Sequence, residues 1–247
     1  MGKKRKKEKK VSANGKPFVS VCTPTYNRRI FIPNLIRCFK AQTYPKELME
    51  WIIIDDGEDS VEDLFKDVEC VKYFRYEEKI KLGRKRNLMH EKSKGEILVY
   101  MDDDDYYPPE RVNHAVNRLR GNPRALAVGS SVVFIYFNDL DKIYQFGPYG
   151  LQHATAGTFA FKRELLRQTC YDDNAEMAEE KKFLKNYTVP LLQLDPRKSI
   201  LVFAHQYNTF DKRKLLINPN PNYVRPTNLK PSFFIKNKEL LKFYATI

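Results

Sequence analysis

Ile97-Leu98-Val99-Tyr100-Met101-Asp102-Asp103-Asp104-Asp105 is an apolar run that ends in four consecutive carboxylates. The run predicts a buried strand, so the acids emerge where a sheet ends and cannot spread apart. Two unit charges about 4 Å apart repel by roughly 4 kcal/mol at an effective dielectric near 20, so the cluster calls for compensation. A hard divalent cation with a taste for oxygen and phosphate, Mg²⁺ or Mn²⁺, suits it. Pro108-Pro109-Glu110-Arg111 looks like a helix start, and Asp105 is placed to cap it. That leaves three acids without a structural task.

Working outward, Phe18 to Cys22 predicts a first strand, closed by Thr23-Pro24-Thr25-Tyr26-Asn27. Ile32, Leu35, Ile36 and Phe39 recur at helical spacing. Trp51 to Ile54 is a second buried strand, ended by Asp55-Asp56-Gly57, and Val71 to Phe74 a third. Helices are expected from about 83 to 94 and from 109 to 120. Strand and helix alternate, which predicts an α/β fold with a mainly parallel central sheet flanked by helices. Ligands of such sheets sit beyond the carboxyl ends of the strands, where three polar clusters, 23–27, 55–57 and 102–105, would converge. In the second half, 126–137 is strand-like, 138–142 a hairpin turn, and 175–186 a helix with its acids early. The expected organisation is a basic leader over 1–16, a catalytic domain over 17–210, and a basic extension over 211–247, with Asn218-Pro219-Asn220-Pro221-Asn222 as a break.

The formal net charge of +13 is concentrated at the two ends: residues 1–10 carry +6 and residues 211–247 another +6. The nearly neutral body argues against a nucleic-acid-binding module. The lysine-rich leader reads as a solvated tail, capable of weak contact with an anionic surface. No run is long and apolar enough for a transmembrane segment, and the start lacks a signal-peptide pattern. Cys22, Cys38, Cys70 and Cys170 show no metal-ligand spacing and read as reduced core thiols. A soluble, cytoplasmic protein is expected, with peripheral membrane contact as a further option.

Five elements in order resemble family 2 of the inverting glycosyltransferases, which have the glycosyltransferase A (GT-A) fold. They are Val19 to Arg28, Ile52 to Gly57, Gly83-Arg84-Lys85-Arg86-Asn87, the four-Asp cluster with Pro109 behind it, and Glu179-Glu180-Lys181-Lys182-Phe183. The resemblance implies one GT-A-type domain, a Rossmann-like nucleotide-binding half joined to an acceptor half. It implies a nucleotide-sugar donor, a UDP-sugar above all, and a glycan or glycoconjugate acceptor. Pro24, Tyr26 and Asn27 would line the nucleotide pocket, and Asp56 would contact the uracil base with Asp55 beside it. Asp102 and Asp104 match the family's metal-and-ribose DxD motif, with Asp104 as direct ligand of Mn²⁺ or Mg²⁺. Asp103 with Asp105 is a second register; the first leaves Asp105 free to cap.

The family pattern singles out Arg86 and Asn87 for the donor, in a basic cluster where Lys85 reads as a solvated turn residue. Inverting transfer needs a base for the acceptor hydroxyl, and the acidic pair places it at Glu180. The family often has Asp there. Glu176, Glu179 and Glu180 before Lys181, Lys182 and Lys185 would also suit an exposed charged helix. His205 corresponds to a metal-binding His of some relatives, though a lone His after a strand is also a common structural residue. Gln152 to Thr158 resembles the loop that approaches donor sugar and acceptor. Sugar-phosphate nucleotidyl transfer is the rival reading, but Thr23 to Arg29 lacks the Gly-rich phosphate loop it calls for. A non-catalytic sugar-nucleotide binder is another.

Overall fold

The computed structural model describes residues 15–176 and 179–247. The leader expected over residues 1–16 therefore lies almost wholly outside the described residues. Four parallel strands form one half of the main sheet: β1 (Val19–Thr25), β2 (Met49–Asp55), β3 (Val71–Arg75) and β4 (Ile97–Tyr100). β5 (Ala127–Gly129) lies further out in the same sheet, whereas β6 (Val133–Phe137) and β7 (Lys142–Phe146) form an antiparallel hairpin in a second sheet. β8 (Ala160–Lys162) returns antiparallel between β4 and β5, and β9 (Leu191–Gln193) closes the main sheet beside β5. β10 (Leu201–Ala204) and β11 (Val224–Pro226) flank the hairpin. The orders are β3-β2-β1-β4-β8-β5-β9 and β10-β6-β7-β11.

Every residue of β1, β2 and β4 is buried. That explains their largely apolar runs, since both faces of a parallel sheet are covered, and the polar exceptions find partners, as Ser20 does by donating to Glu50 at 2.6 Å. Helix α1 (Ile32–Lys40) lies between β1 and β2, α2 (Leu82–Lys92) between β3 and β4, and α3 (Arg111–Gly121) between β4 and β5. α1 buries Ile32, Leu35, Cys38 and Phe39 at the spacing that the sequence shows. Trp51 fixes the centre: its ring stacks on Phe39 with centroids 4.3 Å apart, and its Nε1 donates to Thr23 Oγ1 at 2.9 Å. Thr23 in turn donates to Met101 O at 2.6 Å, tying β2 and β1 to the residue that follows β4, just before the acids.

Four expectations change. The helix expected over 175–186 is a single turn, α4 (Glu180–Phe183), because Lys185, Asn186 and Tyr187 have φ of 50°, 55° and 62°. Residues 177 and 178 of that stretch lie outside the described residues. Residues 126–137 are two strands in different sheets, parted at Ser130 and Ser131. The C-terminal segment is part of the body: β11 pairs with β7, α5 (Pro231–Phe234) buries Phe234, and α6 (Lys238–Thr246) buries Leu240 and Tyr244. Tyr244 stacks on Phe203 at 4.1 Å and donates to Asp105 O at 2.9 Å. Finally, Cys22 and Cys38 are core thiols, but Cys70 and Cys170 are exposed. No helix of the described residues is long and apolar enough to cross a membrane.

Candidate active site

Because β1, β2 and β4 run parallel, Thr25, Asp55 and Tyr100 end on one edge. A cleft of about 870 Å³ opens there, lined by Pro24 to Tyr26 and Arg28, by Lys79 to Leu82 with Lys85 and Arg86, by Asp102 to Asp104, by Glu176 and Glu179, and by Tyr207, Thr209 and Phe210. Arg86 is its organising residue. Its guanidinium donates through Nε to Glu179 Oε1 at 2.8 Å and through Nη1 to Asp102 Oδ1 at 3.4 Å, and lies 4.6 Å from the Tyr100 ring centre. Burial works against its charge, but Asp102 and Glu179 outweigh that and raise its pKa.

The four acids part into different roles. Asp102, Asp103 and Asp104 line the cleft, whereas Asp105 turns away and accepts from Phe203 N of β10 at 3.0 Å. Asp105 does not cap α3, whose N-cap is Glu110 with no side-chain bond, since β10 claims its carboxylate instead. With Asp105 withdrawn, Asp102 and Asp104 are the alternate pair that faces the cleft. Burial raises the Asp102 carboxyl, and burial with the charge of Asp104 pushes Asp103 up to about 8. Asp104 goes the other way. Burial disfavours its charge, but the hydrogen bond from His205 and the charges of Lys212 and Arg28 hold it below the usual carboxylate range. Arg28 Nε sits 3.7 Å from Asp103 and 3.8 Å from Asp104, between the two.

The donor set fits a hard cation in one respect that the backbone shows. A Cβ on residue 157 would lie 3.0 Å from Asp102 Oδ2, so Gly157 keeps that face of the carboxylate open. Among the described residues, no three His, Cys, Asp or Glu side chains form a ready ligand set. Oxygens from a diphosphate or water would complete the coordination. His205 stands 3.4 Å from Asp104 Oδ2, and Asn208 Nδ2 donates to the same carboxylate at 3.2 Å. His205 Nδ1 accepts from Tyr207 N at 3.2 Å, which calls for the ring proton on Nε2, whereas Asn208 Nδ2 lies 3.0 Å from Nε2, which calls for it on Nδ1. With its proton on Nε2 the ring supports Asp104. Ligation through Nε2 requires the proton on Nδ1.

Several expected site residues lie behind the lining. Asp56 is buried, with one oxygen bound to Lys85 Nζ and the other accepting from Ile80 N at 2.6 Å. Asp55 accepts from Gly57 N at 2.9 Å, Val61 N at 3.2 Å and the Tyr73 hydroxyl. Asn27, with φ 53°, accepts from Glu58 N at 2.7 Å, so it joins the loops after β1 and β2. Asn87 clamps residues 171–173, donating to Tyr171 O at 3.0 Å and Asp173 Oδ1 at 2.6 Å. Glu179, not Glu180, is on the lining; Glu180 stands beside it at the start of α4. Burial and then the charge of Glu179 raise the Glu180 carboxyl. Lys85 is no solvated turn residue: it is 5% exposed and also donates to Thr25 O at 3.1 Å. Its helical phase, three residues before buried Leu88, was the signal available. Lys79, poised 4.5 Å from the Tyr26 ring centre, carried none.

A twisted, mainly parallel sheet with an acid-bearing cleft at its strand ends, backed by a second small sheet, is the GT-A architecture of glycosyltransferases. The model of the family described as "Glycosyl transferase family 2" matches residues 20–171, and the chain belongs to that family. It is 31% identical over 122 residues to a glucosyl-dolichyl phosphate glucuronosyltransferase of Haloferax volcanii, across 48% of this chain and 38% of the relative. It is 29% identical over 137 residues to the glycosyltransferase AglE of the same organism, across 49% and 41%. The chain thus spans about two fifths of the length of these relatives. Among solved structures, the mannosyltransferase PcManGT of Pyrobaculum calidifontis, in complex with GDP-Man and Mn²⁺, superposes with a TM-score of 0.64 at 18% identity, over 97% of this chain and 73% of that one. TarS of Staphylococcus aureus in complex with UDP-GlcNAc gives 0.58 at 18% identity, over 77% and 59%.

Proposed function

We propose that this glycosyltransferase moves a sugar from a nucleotide sugar, a UDP-sugar, to a hydroxyl of a glycan or glycoconjugate, with inversion and with Mn²⁺ or Mg²⁺ as cofactor. The observation that carries the reading is the arrangement around Arg86, one guanidinium holding both the cluster acid Asp102 and the acidic-pair residue Glu179. Nucleotide recognition falls to the wall made by Pro24, Tyr26 and Lys79, with a flat ring for a base and an ammonium for phosphate. Asp56 acts from behind by fixing Lys85 and the Lys79–Ile80 backbone, and Asn27 and Asp55 fix the loops after β1 and β2. The first turn of α2 borders the same wall, where backbone N–H groups favour anions.

Asp102 and Asp104 would hold the cation, with Asp103 between them. The cation would supply charge stabilisation for a departing nucleoside diphosphate. Glu180 takes the acceptor proton. Its partial burial beside Glu179 raises its proton affinity, as a base near neutral pH requires. Arg86 fixes Glu179 and thereby the start of α4 that carries Glu180. The complexes of PcManGT with GDP-Man and Mn²⁺ and of TarS with UDP-GlcNAc support a nucleotide-sugar donor and a metal. TarS is also a sequence relative, 29% identical over 108 residues, which favours UDP.

Screening UDP- and GDP-sugars for hydrolysis with and without Mn²⁺ tests the proposal without knowledge of the acceptor. Metal-dependent release of UDP is expected. Failure of every nucleotide sugar to bind or react would overturn it.

A further inference from the structure

Four aromatic rings outside the cleft touch one another in series. Tyr149 stacks on Tyr223 with centroids 5.4 Å apart and planes 24° apart. His153 lies 5.0 Å from Tyr149 and 5.0 Å from Tyr187. The outer end is open to solvent: Tyr149 is 43% exposed, Tyr223 40%, and the neighbouring Leu151 81%. Contiguous exposed rings of this kind mark a binding surface more often than scattered ones do.

The backbone around the rings is fixed rather than loose. Gln193 Nε2 donates to Leu151 O and His153 O, each at 2.9 Å, and Gln152 Oε1 accepts from Leu191 N at 3.2 Å. Tyr187 ends a run of three non-glycine residues with left-handed φ, a conformation that L-residues normally adopt singly. Strain held in this way collects at functional positions. His153 Nδ1 is buried with no hydrogen-bond partner.

The run is also continuous with the catalytic region. The loop that carries Tyr149 and His153 reaches Asp102 four residues later, at Gly157. At the inner end, Tyr187 directly follows Asn186, whose N–H donates to Lys181 O at 2.8 Å, in the turn that begins at Glu180. The rings therefore lead outward from the turn that carries Glu180.

We propose that Tyr187, His153, Tyr149 and Tyr223 form an acceptor subsite for a saccharide chain of several pyranose rings. The apolar C–H faces of the sugars pack on the aromatic surface, while the phenol hydroxyls and His153 Nδ1 meet sugar hydroxyls. Alternation of ring carbon with polar tips suits a polyol better than an acyl chain, which would want a continuous aliphatic surface. The proposal rests on the glycosyl-transfer reading and names its acceptor class.

Saturation-transfer NMR of the full chain with cellotetraose, maltotetraose, chitotetraose and mannotetraose, alongside calorimetry with UDP-sugars, tests it. At least one tetrasaccharide is expected to bind. Tyr149→Ala and Tyr223→Ala should weaken it at least about tenfold, as loss of an aromatic anchor does, and Tyr149→Phe, which keeps the ring and loses only the hydroxyl, should weaken it less. Nucleotide-sugar affinity should not change in these variants, which also reports that they fold. Nucleotide binding without tetrasaccharide binding, or tetrasaccharide binding that survives both alanine substitutions, overturns the subsite alone. Absence of nucleotide binding in the unaltered protein sinks the functional reading as well. Concentration-dependent dimerisation that Tyr149→Ala abolishes would assign the rings to a second copy of the chain and overturn the proposal.

Discussion

Arg86 Nε donates to Glu179 Oε1 at 2.8 Å across 93 residues of sequence, and both side chains are at most 5% exposed. A buried pair of this kind ties α2, from the parallel half of the main sheet, to the segment that introduces α4. Its Nη1 contact with Asp102 extends the tie to the end of β4.

Arg86→Ala leaves the Glu179 carboxylate buried and unpaired. Removal of one partner of a buried ion pair costs about 3–5 kcal/mol, and urea denaturation should show a loss of that order. Arg86→Lys keeps the charge but loses the forked geometry that reaches two carboxylates. It should regain part of the stability while transfer remains depressed at least about a hundredfold, since small misplacements of a reacting group carry penalties of that size.

Glu180→Gln and Asp104→Ala should separate the two halves of the proposed chemistry. Glu180→Gln abolishes turnover and leaves nucleotide-sugar affinity near normal, because it removes only the group that accepts the proton. Asp104→Ala abolishes turnover together with metal-dependent nucleotide binding. Calorimetry beside a turnover assay reads both, and sustained transfer by the Glu180→Gln protein would remove it as the base.

The parallel half of the fold was legible because its signal is local: each buried strand is a short apolar run, and each polar cluster follows one. The edge on which Asp102 to Asp104 meet Tyr26 followed from the parallel order alone. Other features depend on partners far away in sequence. Nothing near Asp56 shows that Lys85 and Ile80 will occupy both its oxygens, and nothing near Asp105 shows that β10 will claim it in place of α3. The charge of residues 211–247 suggested a basic extension beyond the domain, yet Phe234, Leu240 and Tyr244 among those lysines complete the core. The backbone reversal at Lys185 to Tyr187 contradicts the helical propensity of the residues before it, which tertiary packing of Phe183 and Leu184 overrides.

Gly83→Ala tests how tightly α2 seats against the loop before α4. A Cβ on residue 83 would fall 1.8 Å from Asp172 O, a backbone atom that cannot move alone. The loop anchored by Asn87 must shift outward and carry Glu176 and Glu179 with it. A loss of about 1–3 kcal/mol, the usual cost of overpacking, should appear in urea denaturation, with reduced turnover beyond what the remaining folded fraction explains.

Removal of residues 237–247 should unfold or severely weaken the protein, in contrast to trimming a solvated tail. It deletes the buried side chains of Leu240 and Tyr244, each worth about 1.5–3 kcal/mol of burial, and the hydroxyl that binds Asp105 O. A milder probe is Tyr244→Phe. It keeps the stack on Phe203 and loses only that bond, so a decrease of about 1 kcal/mol is expected, measured by chemical denaturation.

His90 supplies a pH dependence that is independent of the catalytic groups. It is 6% exposed, and its Nε2 lies 2.6 Å from the Tyr100 hydroxyl. Burial, then the charges of Arg86 and Arg163, lower its pKa from 6.5 to about 3. Between those values the unfolded chain binds a proton that the folded chain refuses, so the stability is present above pH 6.5 and drains away as pH falls. One proton corresponds to about 1.4 kcal/mol per pH unit, hence about 2 kcal/mol between pH 6.5 and 5, before most carboxylates titrate. His114 and His153 are lowered by burial as well and add slope in the same direction. The difference between the unaltered protein and His90→Phe isolates the residue: the variant's stability, measured at pH 7 and pH 5, should fall less by about that amount. Equal slopes in the two proteins would show that His90 is protonated in the folded state or reached by water.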